Sequence, residues 1–243
     1  MNQHEKILTI IPTRGGSEGI RNKNIFLFEG MPLVAHTILE ALKCSILSDI
    51  FVTTDSDEIE AVAKEYGAQI FRHPSELSIQ GKQTAPVIQY VANEISGSNP
   101  QFGFVAVLRA TSPLRNATDI SNAYSLMINK NGDSVVSLEQ QNTMHPVRLK
   151  TIDGDGHVRD VQRGEEGKPI RRQDLPDVYR RTGAIYIALL DIVLGGRMWG
   201  DKCVGYVMPQ ERAININTYW DLITAAAYYR AINGNEFGEY LQK

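Results

Sequence analysis

Cysteine is scarce in this sequence, with two residues, Cys44 and Cys203, in 243. They make no CxxC and no Cys/His ligand spacing, which leaves no disulfide framework and no zinc module to argue for. Both thiols are expected to be reduced, buried and inert. Long hydrophobic runs are missing as well. The apolar run near the N-terminus, "ILTII", is too short for the core of a signal peptide, and no stretch approaches the length of a membrane span. The reading is a cytoplasmic protein without a membrane partner. Excess charge is the third absence. A formal charge of −3 gives no general attraction to nucleic acid or acidic lipid, so any anion site has to be local. There is no internal repeat and no low-complexity tract. What remains is ordinary for a soluble globular chain, 42% hydrophobic and 22% charged, of a length that suits one large domain or one domain with a modest insertion.

Strand-like and helix-like segments alternate along most of the chain. "ILTII" precedes a helix near 33–46, "IFVTT" a helix near 57–66, "AQIFR" a helix near 84–96, and "FGFVAVL" and "DSVVSL" flank one near 118–129. In 57–66, Ile59, Val62, Ala63 and Tyr66 fall at helical spacing, whereas "FVAVL" is a short continuous run suited to a sheet covered on both faces. The alternation predicts an α/β fold with a mostly parallel sheet flanked by helices. Between about 139 and 181 the rhythm breaks into turn residues and charge, which predicts an inserted arm, either a layer over the active site or a dimer contact. Core rhythm returns with "GAIYIALL", "VGYVMP", "AINI" and a last helix near 218–232.

The segment "IIPTRGGSEGIRNKN", from Ile10 to Asn24, stands where the first strand turns toward the first helix, the place where open α/β sheets bind ligands. Gly15, Gly16 and Gly19 let backbone N–H groups approach a ligand, and Arg14, Arg21 and Lys23 bring positive charge, a combination suited to polyphosphate. The segment is neither a Walker loop nor GxGxxG, which argues against a nicotinamide enzyme. Its competing reading is a tight Gly-rich turn with solvated charges.

Taken together with "FEGMPLVAHTILEAL", "FVTTDSDEI", "PSELS", "TSPLR" and "GAIYI", the loop resembles the cytidylyltransferases that activate acidic sugars. The similarity is to CMP-sialic acid (acylneuraminate) synthetases and their relatives acting on legionaminic and pseudaminic acid, and the motifs recur in order over about 1–230. The resemblance implies a Rossmann-like core of the nucleotide-diphospho-sugar transferase type, here 1–139 and 182–243, with an arm at 140–181 for dimerisation and sugar binding. It also implies a reaction in which CTP and a sugar acid give the CMP-sugar and pyrophosphate, with Mg²⁺, in a homodimer and with no nucleic-acid partner. Such chemistry rests on positioning and on neutralising charge at the phosphates.

Residue by residue, the resemblance gives Arg14 and Lys23 to the CTP phosphates, with Thr13, Gly15, Gly16, Ser17 and Asn24 around them, Asn22 at a neighbouring polar position, and Glu18 where the family has lysine. Glu18 is expected to point away or pair with Arg21. In "RHPSELS", His73 and Arg72 stand near the family's nucleotide contact, or else cap a strand end. "LRATSPLR" has Arg109 where the family has a glutamine facing sugar and α-phosphate. Arg109 either meets an anionic part of the substrate or pairs with a carboxylate such as Glu76. Ser112 and Arg115 are assigned to the turn. In the arm, Arg148 and Arg172 match sugar-acid contacts, Tyr179 and Tyr186 are candidates to wall the sugar pocket, and Thr182 replaces an asparagine.

The largest departure is "RAININTYWDL". Relatives carry two aspartates that hold the metal, and here Asn215 and Asn217 take their places, weak ligands for a hard cation. Asp221 does not replace them, because Thr218 and Asp221 form a capping-box pattern. Three explanations stand: metal arriving on CTP, Arg109 supplying the missing positive charge, or a degenerate relative that binds nucleotide-sugar without turnover. A nucleotidyltransferase with a different acceptor or base is a further alternative.

Overall fold

The computed structural model describes residues 6–16, 19–77, 84–98, 101–141, 143–162 and 170–234. In chain order its strands are β1 (Lys6–Pro12), the short β2 (Leu27–Phe28) and β3 (Met31–Pro32), β4 (Ile50–Thr54), β5 (Gln69–Arg72), β6 (Phe102–Val107), β7 (Ser134–Gln140), β8 (Lys150–Ile152), β9 (Val158–Asp160), β10 (Tyr179–Leu189) and β11 (Cys203–Val207). The helices are α1 (Leu33–Lys43), α2 (Asp57–Glu65), α3 (Thr84–Ser98), α4 (Ala117–Asn129), α5 (Leu190–Leu194) and α6 (Tyr219–Ile232).

Seven strands make one sheet in the order β11-β7-β10-β6-β1-β4-β5. Pairing is parallel except along β10, which runs antiparallel to both β6 and β7. The period-2 alternation of β1 explains why both faces are covered. Ile7 and Ile11 turn to a core with Val34 and Ile38 of α1, Ile59 and Ala63 of α2, and Ile120 and Ala123 of α4. Leu8 and Ile10 turn the other way, against Val87, Ile88 and Val91 of α3 and Val193 of α5. The expected mostly parallel α/β sheet is therefore observed.

A third cluster sits beside the end of the sheet where β1 finishes. Ile20, Phe28, Leu33, Leu114, Ile216 and Ala225 pack together, which places α6 and the β2–β3 hairpin against the opening loop. Helix α6 begins in a capping box in which the Thr218 hydroxyl accepts from Asp221 N and the Asp221 carboxylate accepts from Thr218 N. Helix α4 begins the same way with Asn116 and Asp119.

Two expectations need correction. "AINI" is not a strand: 213–216 carries no ladder, because its polar groups bond outward. Ile216 N donates to Thr111 O at 2.7 Å, and Ile216 O accepts from Lys23 Nζ at 3.1 Å. Cys203 is only half-buried, because β11 is an edge strand, whereas Cys44 is buried as expected. Residues 141–178 hold the small β8–β9 hairpin, whose turn is closed by the Asp153 carboxylate accepting from Asp155 N and His157 N. Among the described residues no helix is long and apolar enough to cross a membrane.

Candidate active site

The opening loop is pinned at four points. Thr13 N and Thr13 Oγ1 both donate to Thr53 O at 2.9 Å, joining the end of β1 to β4. Gly15 N donates to Asp55 Oδ1 at 2.9 Å, and Asn24 Nδ2 donates to Arg14 O at 3.0 Å. Gly19 lies so close to the 213–217 segment that an added Cβ would stand 2.5 Å from Asn217 O. Only glycine fits that crossing. Ser17 and Glu18 lie outside the described residues, as does Ser78 of "PSELS".

Within this frame Arg14 and Lys23 stay without a carboxylate partner among the described residues. The Lys23 ammonium donates to a backbone carbonyl instead. Its pKa is lowered by burial; the pull of the Asp221 carboxylate opposes this, and Arg14 adds a smaller push in the same direction as burial. Two cations held close without a carboxylate in contact is a costly arrangement that an anion would relieve. Gly15 does not offer its N–H to a ligand in this conformation, because Asp55 holds it; Gly16, at φ +68°, is exposed.

His73 is buried, and its Nδ1 lies 2.7 Å from Thr53 Oγ1. Burial lowers its pKa. The structure thus places it behind the strand ends, bracing the Thr53–Thr13 connection. Arg72 turns away from the loop and pairs with Asp57 and Glu60 of α2.

Arg109 follows β6. Its carbonyl accepts from Ser112 N, Thr37 Oγ1 and Arg115 Nη1, so its backbone is fixed. Its side chain forms no ion pair among the described residues, Nε is buried without a hydrogen bond, and the guanidinium carbon lies 5.7 Å from the centre of the Tyr186 ring. The alternative pairing with Glu76 is not found. Arg115 is wholly buried, donates to Arg109 O and Ala184 O, and has its pKa pushed down to about 10 by burial. It shapes the turn and does not face the surface. Ser112 is likewise fully buried.

Asn215 lies beside Arg109. A Cβ added to Gly183, which has φ +82°, would sit 3.1 Å from Asn215 Nδ2 and 3.7 Å from Arg109 Nη1, so both side chains meet over that glycine. Asn215 Nδ2 donates to Thr182 O at 3.0 Å, and its Oδ1 is buried with no partner. Asn217 is exposed, and its backbone N–H is taken by Asp221. Asp221 Oδ2 also accepts from Thr218 N and Thr218 Oγ1. One neutral amide oxygen next to a guanidinium is not a donor set for Mg²⁺, which takes carboxylates and water. Among the described residues, the set at 215 and 217 does not fit a protein-held ion.

The arm brings Arg148 and Arg172 together. Both line a pocket of about 510 Å³ with His145, Gln140, Gln173 and Asp177. Among the described residues its lining comes from 140–177, and neither tyrosine assigned to the pocket is among them. Tyr179 is 45% exposed at the start of β10; Tyr186 is buried mid-strand among the residues packed under α3 and α5. Thr182 is turned inward, its hydroxyl 2.6 Å from Ser137 Oγ, so that side chain does not reach a ligand.

Sequence reasoning missed two groups. Arg181 lies over the Trp199 ring at 4.8 Å, and Trp199 stacks on Tyr186 at 6.3 Å, which extends the aromatic support under Arg109. Asp119 is the other: it accepts from both Arg212 Nε and Arg212 Nη2 and from the Tyr206 hydroxyl, anchoring the residues that lead into 213–217. Arg181 gives no sequence signal beyond its charge. For Asp119 the one signal in the sequence is its spacing from Asn116, which suits a capping box and carries nothing of its second role.

The mostly parallel sheet, covered by helices on both faces, with Arg14 and Arg109 following the ends of β1 and β6, defines the class: a Rossmann-like α/β fold. The Cytidylyltransferase family model matches residues 8–188, and the chain belongs to that family. It is 29% identical over 221 residues to N-acylneuraminate cytidylyltransferase of Streptococcus agalactiae serotype V, covering 90% of this chain and 52% of that one. It is 27% identical over 224 residues to the post-translational flagellin modification protein B of Campylobacter coli, covering 89% and 92%. The chain therefore spans about half the length of the N-acylneuraminate cytidylyltransferases it matches. Among solved structures, a CMP:2-keto-3-deoxy-manno-octonic acid synthetase complexed with CTP superposes with a TM-score of 0.66 at 14% identity, covering 93% of this chain and 99% of that one. The likeness shows a shared fold.

Proposed function

We propose that this protein transfers CMP from CTP to the anomeric hydroxyl of a nonulosonic, sialic-like sugar acid and releases pyrophosphate. The observation that carries the reading is that Arg14 and Arg109 follow the carboxyl ends of neighbouring strands β1 and β6 while Lys23 bonds to Ile216 O, next to the Asn215 that flanks Arg109, none of the three paired with a carboxylate among the described residues. The bond from the sugar oxygen to the α-phosphorus forms as the bond to the pyrophosphate oxygen breaks, and the hydroxyl proton passes to solvent. The chain's part is to orient the phosphates and oppose the charge that builds on the leaving oxygen. Mg²⁺, in this reading, enters with the phosphates of CTP.

The arm pocket suits the acid, with Arg148 and Arg172 as partners for its carboxylate. Because, among the described residues, that pocket draws none from the opening loop, the reading places the arm of one copy over the core of a second in a homodimer. The neutral pair Asn215 and Asn217 favours a second reading, a nucleotide-sugar-binding protein without turnover. Pyrophosphate release from CTP across sialic, legionaminic, pseudaminic and octulosonic acids, with Arg14→Ala as control, separates the two. Release with one acid, abolished in the control, supports the transferase. A CTP-dependent rise in melting temperature with no release under any condition supports the binding protein.

A further inference from the structure

We infer that Arg109 is a built-in cation for the substrate phosphates, standing in for a protein-held divalent ion, so that this chain binds CTP with little dependence on metal. The inference rests on the CTP reading of the site and deepens it. Two neutral side chains occupy 215 and 217, and the amide of Asn215 is spent on Thr182 O. Among the described residues, Asp221 is taken up in closing the α6 cap and Asp55 in holding Gly15 N.

Arg109 shows the opposite character. Its backbone is fixed by three hydrogen bonds to its carbonyl, its Nε is buried without a partner, and its guanidinium rests over the ring of Tyr186, which Trp199 stacks against in turn. A charge so placed is pre-organised: it does not have to be reoriented when an anion arrives. Gly183 lets Arg109 and Asn215 converge on one point. A carboxylate at 215 would therefore stand close to the guanidinium and offset part of its charge. An acidic pair here would compete with an incoming oxyanion for the arginine, and the amides at 215 and 217 avoid that competition.

The test is CTP affinity by calorimetry in excess Mg²⁺ and in excess EDTA, for the unaltered protein, Arg109→Gln, Arg109→Lys, Asn215→Asp with Asn217→Asp, and all three of Arg109→Gln, Asn215→Asp and Asn217→Asp together. The unaltered protein is expected to lose less than about threefold on chelation, and Arg109→Gln to lose about tenfold or more in EDTA, in line with loss of a charge-assisted contact. Arg109→Lys should keep part of the EDTA affinity, which a misfolded variant would not. The double aspartate variant should gain nothing from Mg²⁺, whereas the triple variant should bind only with it. Affinity that collapses more than about thirtyfold when the unaltered protein is chelated, or that is unmoved in EDTA by Arg109→Gln, overturns the inference while leaving the CTP site intact. Absence of CTP binding in both buffers overturns the site reading itself.

Discussion

Replacing Asp119 by alanine is expected to be among the most costly single changes near the site. The carboxylate side chain is 1% exposed and accepts from Arg212 Nε at 2.9 Å, Arg212 Nη2 at 3.0 Å, Tyr206 Oη at 3.0 Å and the cap nitrogen of Asn116 at 3.2 Å. Breaking a buried ion pair by removing one partner costs about 3–5 kcal/mol, because the other charge is left uncompensated. Arg212 is 24% exposed and can be partly rehydrated, which argues for the lower end, about 3 kcal/mol; the lost cap bond adds about 1 kcal/mol. For a chain of this length each kcal/mol moves the melting temperature by about 2–4 °C, so a fall of roughly 8–16 °C is expected by scanning calorimetry. The double variant Asp119→Leu with Arg212→Met removes both charges together and should recover much of the loss. A fall below about 3 °C for Asp119→Ala, or strictly additive effects of Asp119→Leu and Arg212→Met in that double variant, would refute the reasoning.

Other perturbations test the same picture. Lys23→Gln should weaken CTP binding by tenfold or more, and because burial and Arg14 lower the Lys23 pKa, CTP affinity of the unaltered protein should decline at alkaline pH earlier than an ordinary lysine predicts, with proton uptake on binding visible in calorimetry across buffers of different ionisation enthalpy. His36 and His73 both have pKa values lowered first by burial. Their folded forms resist protonation, so the stability they contribute is complete above the unfolded value of about 6.5 and is lost as pH falls through the folded values; His73→Gln should flatten that slope in melting curves taken between about pH 7.5 and 5. Gly183→Ala is strained at φ +82° and crowds Asn215, which predicts a loss of about 1–3 kcal/mol together with a raised KM for CTP. Arg172→Ala should raise KM for the sugar acid by tenfold or more and leave KM for CTP unchanged, measured by initial-rate pyrophosphate release.

The alternation of short β-rich runs with helical spacing, together with Gly-rich turn chemistry after Pro12, was enough to determine a mostly parallel α/β sheet and to point at the loop from Thr13 to Asn24 as the ligand end. Those are local properties: side-chain period and backbone freedom act within a few residues, so they are legible in the chain. The capping boxes of α4 and α6 are local in the same way. What tertiary structure decided lies between segments distant in sequence. "AINI" has the composition of a strand but not its bonding, because Thr111 and Lys23 claim the polar groups of Ile216. Tyr186 and Thr182 look like ligand contacts in the motif and are turned into the interior by the pairing of β10 between β6 and β7. Arg109 was named from its motif, yet its lack of a carboxylate partner, its aromatic support and its closeness to Asn215 follow only from the meeting of β6, β10 and the 213–217 segment. Whether a charge is paired or left for a ligand depends on distances in three dimensions, and no spacing along one chain contains them.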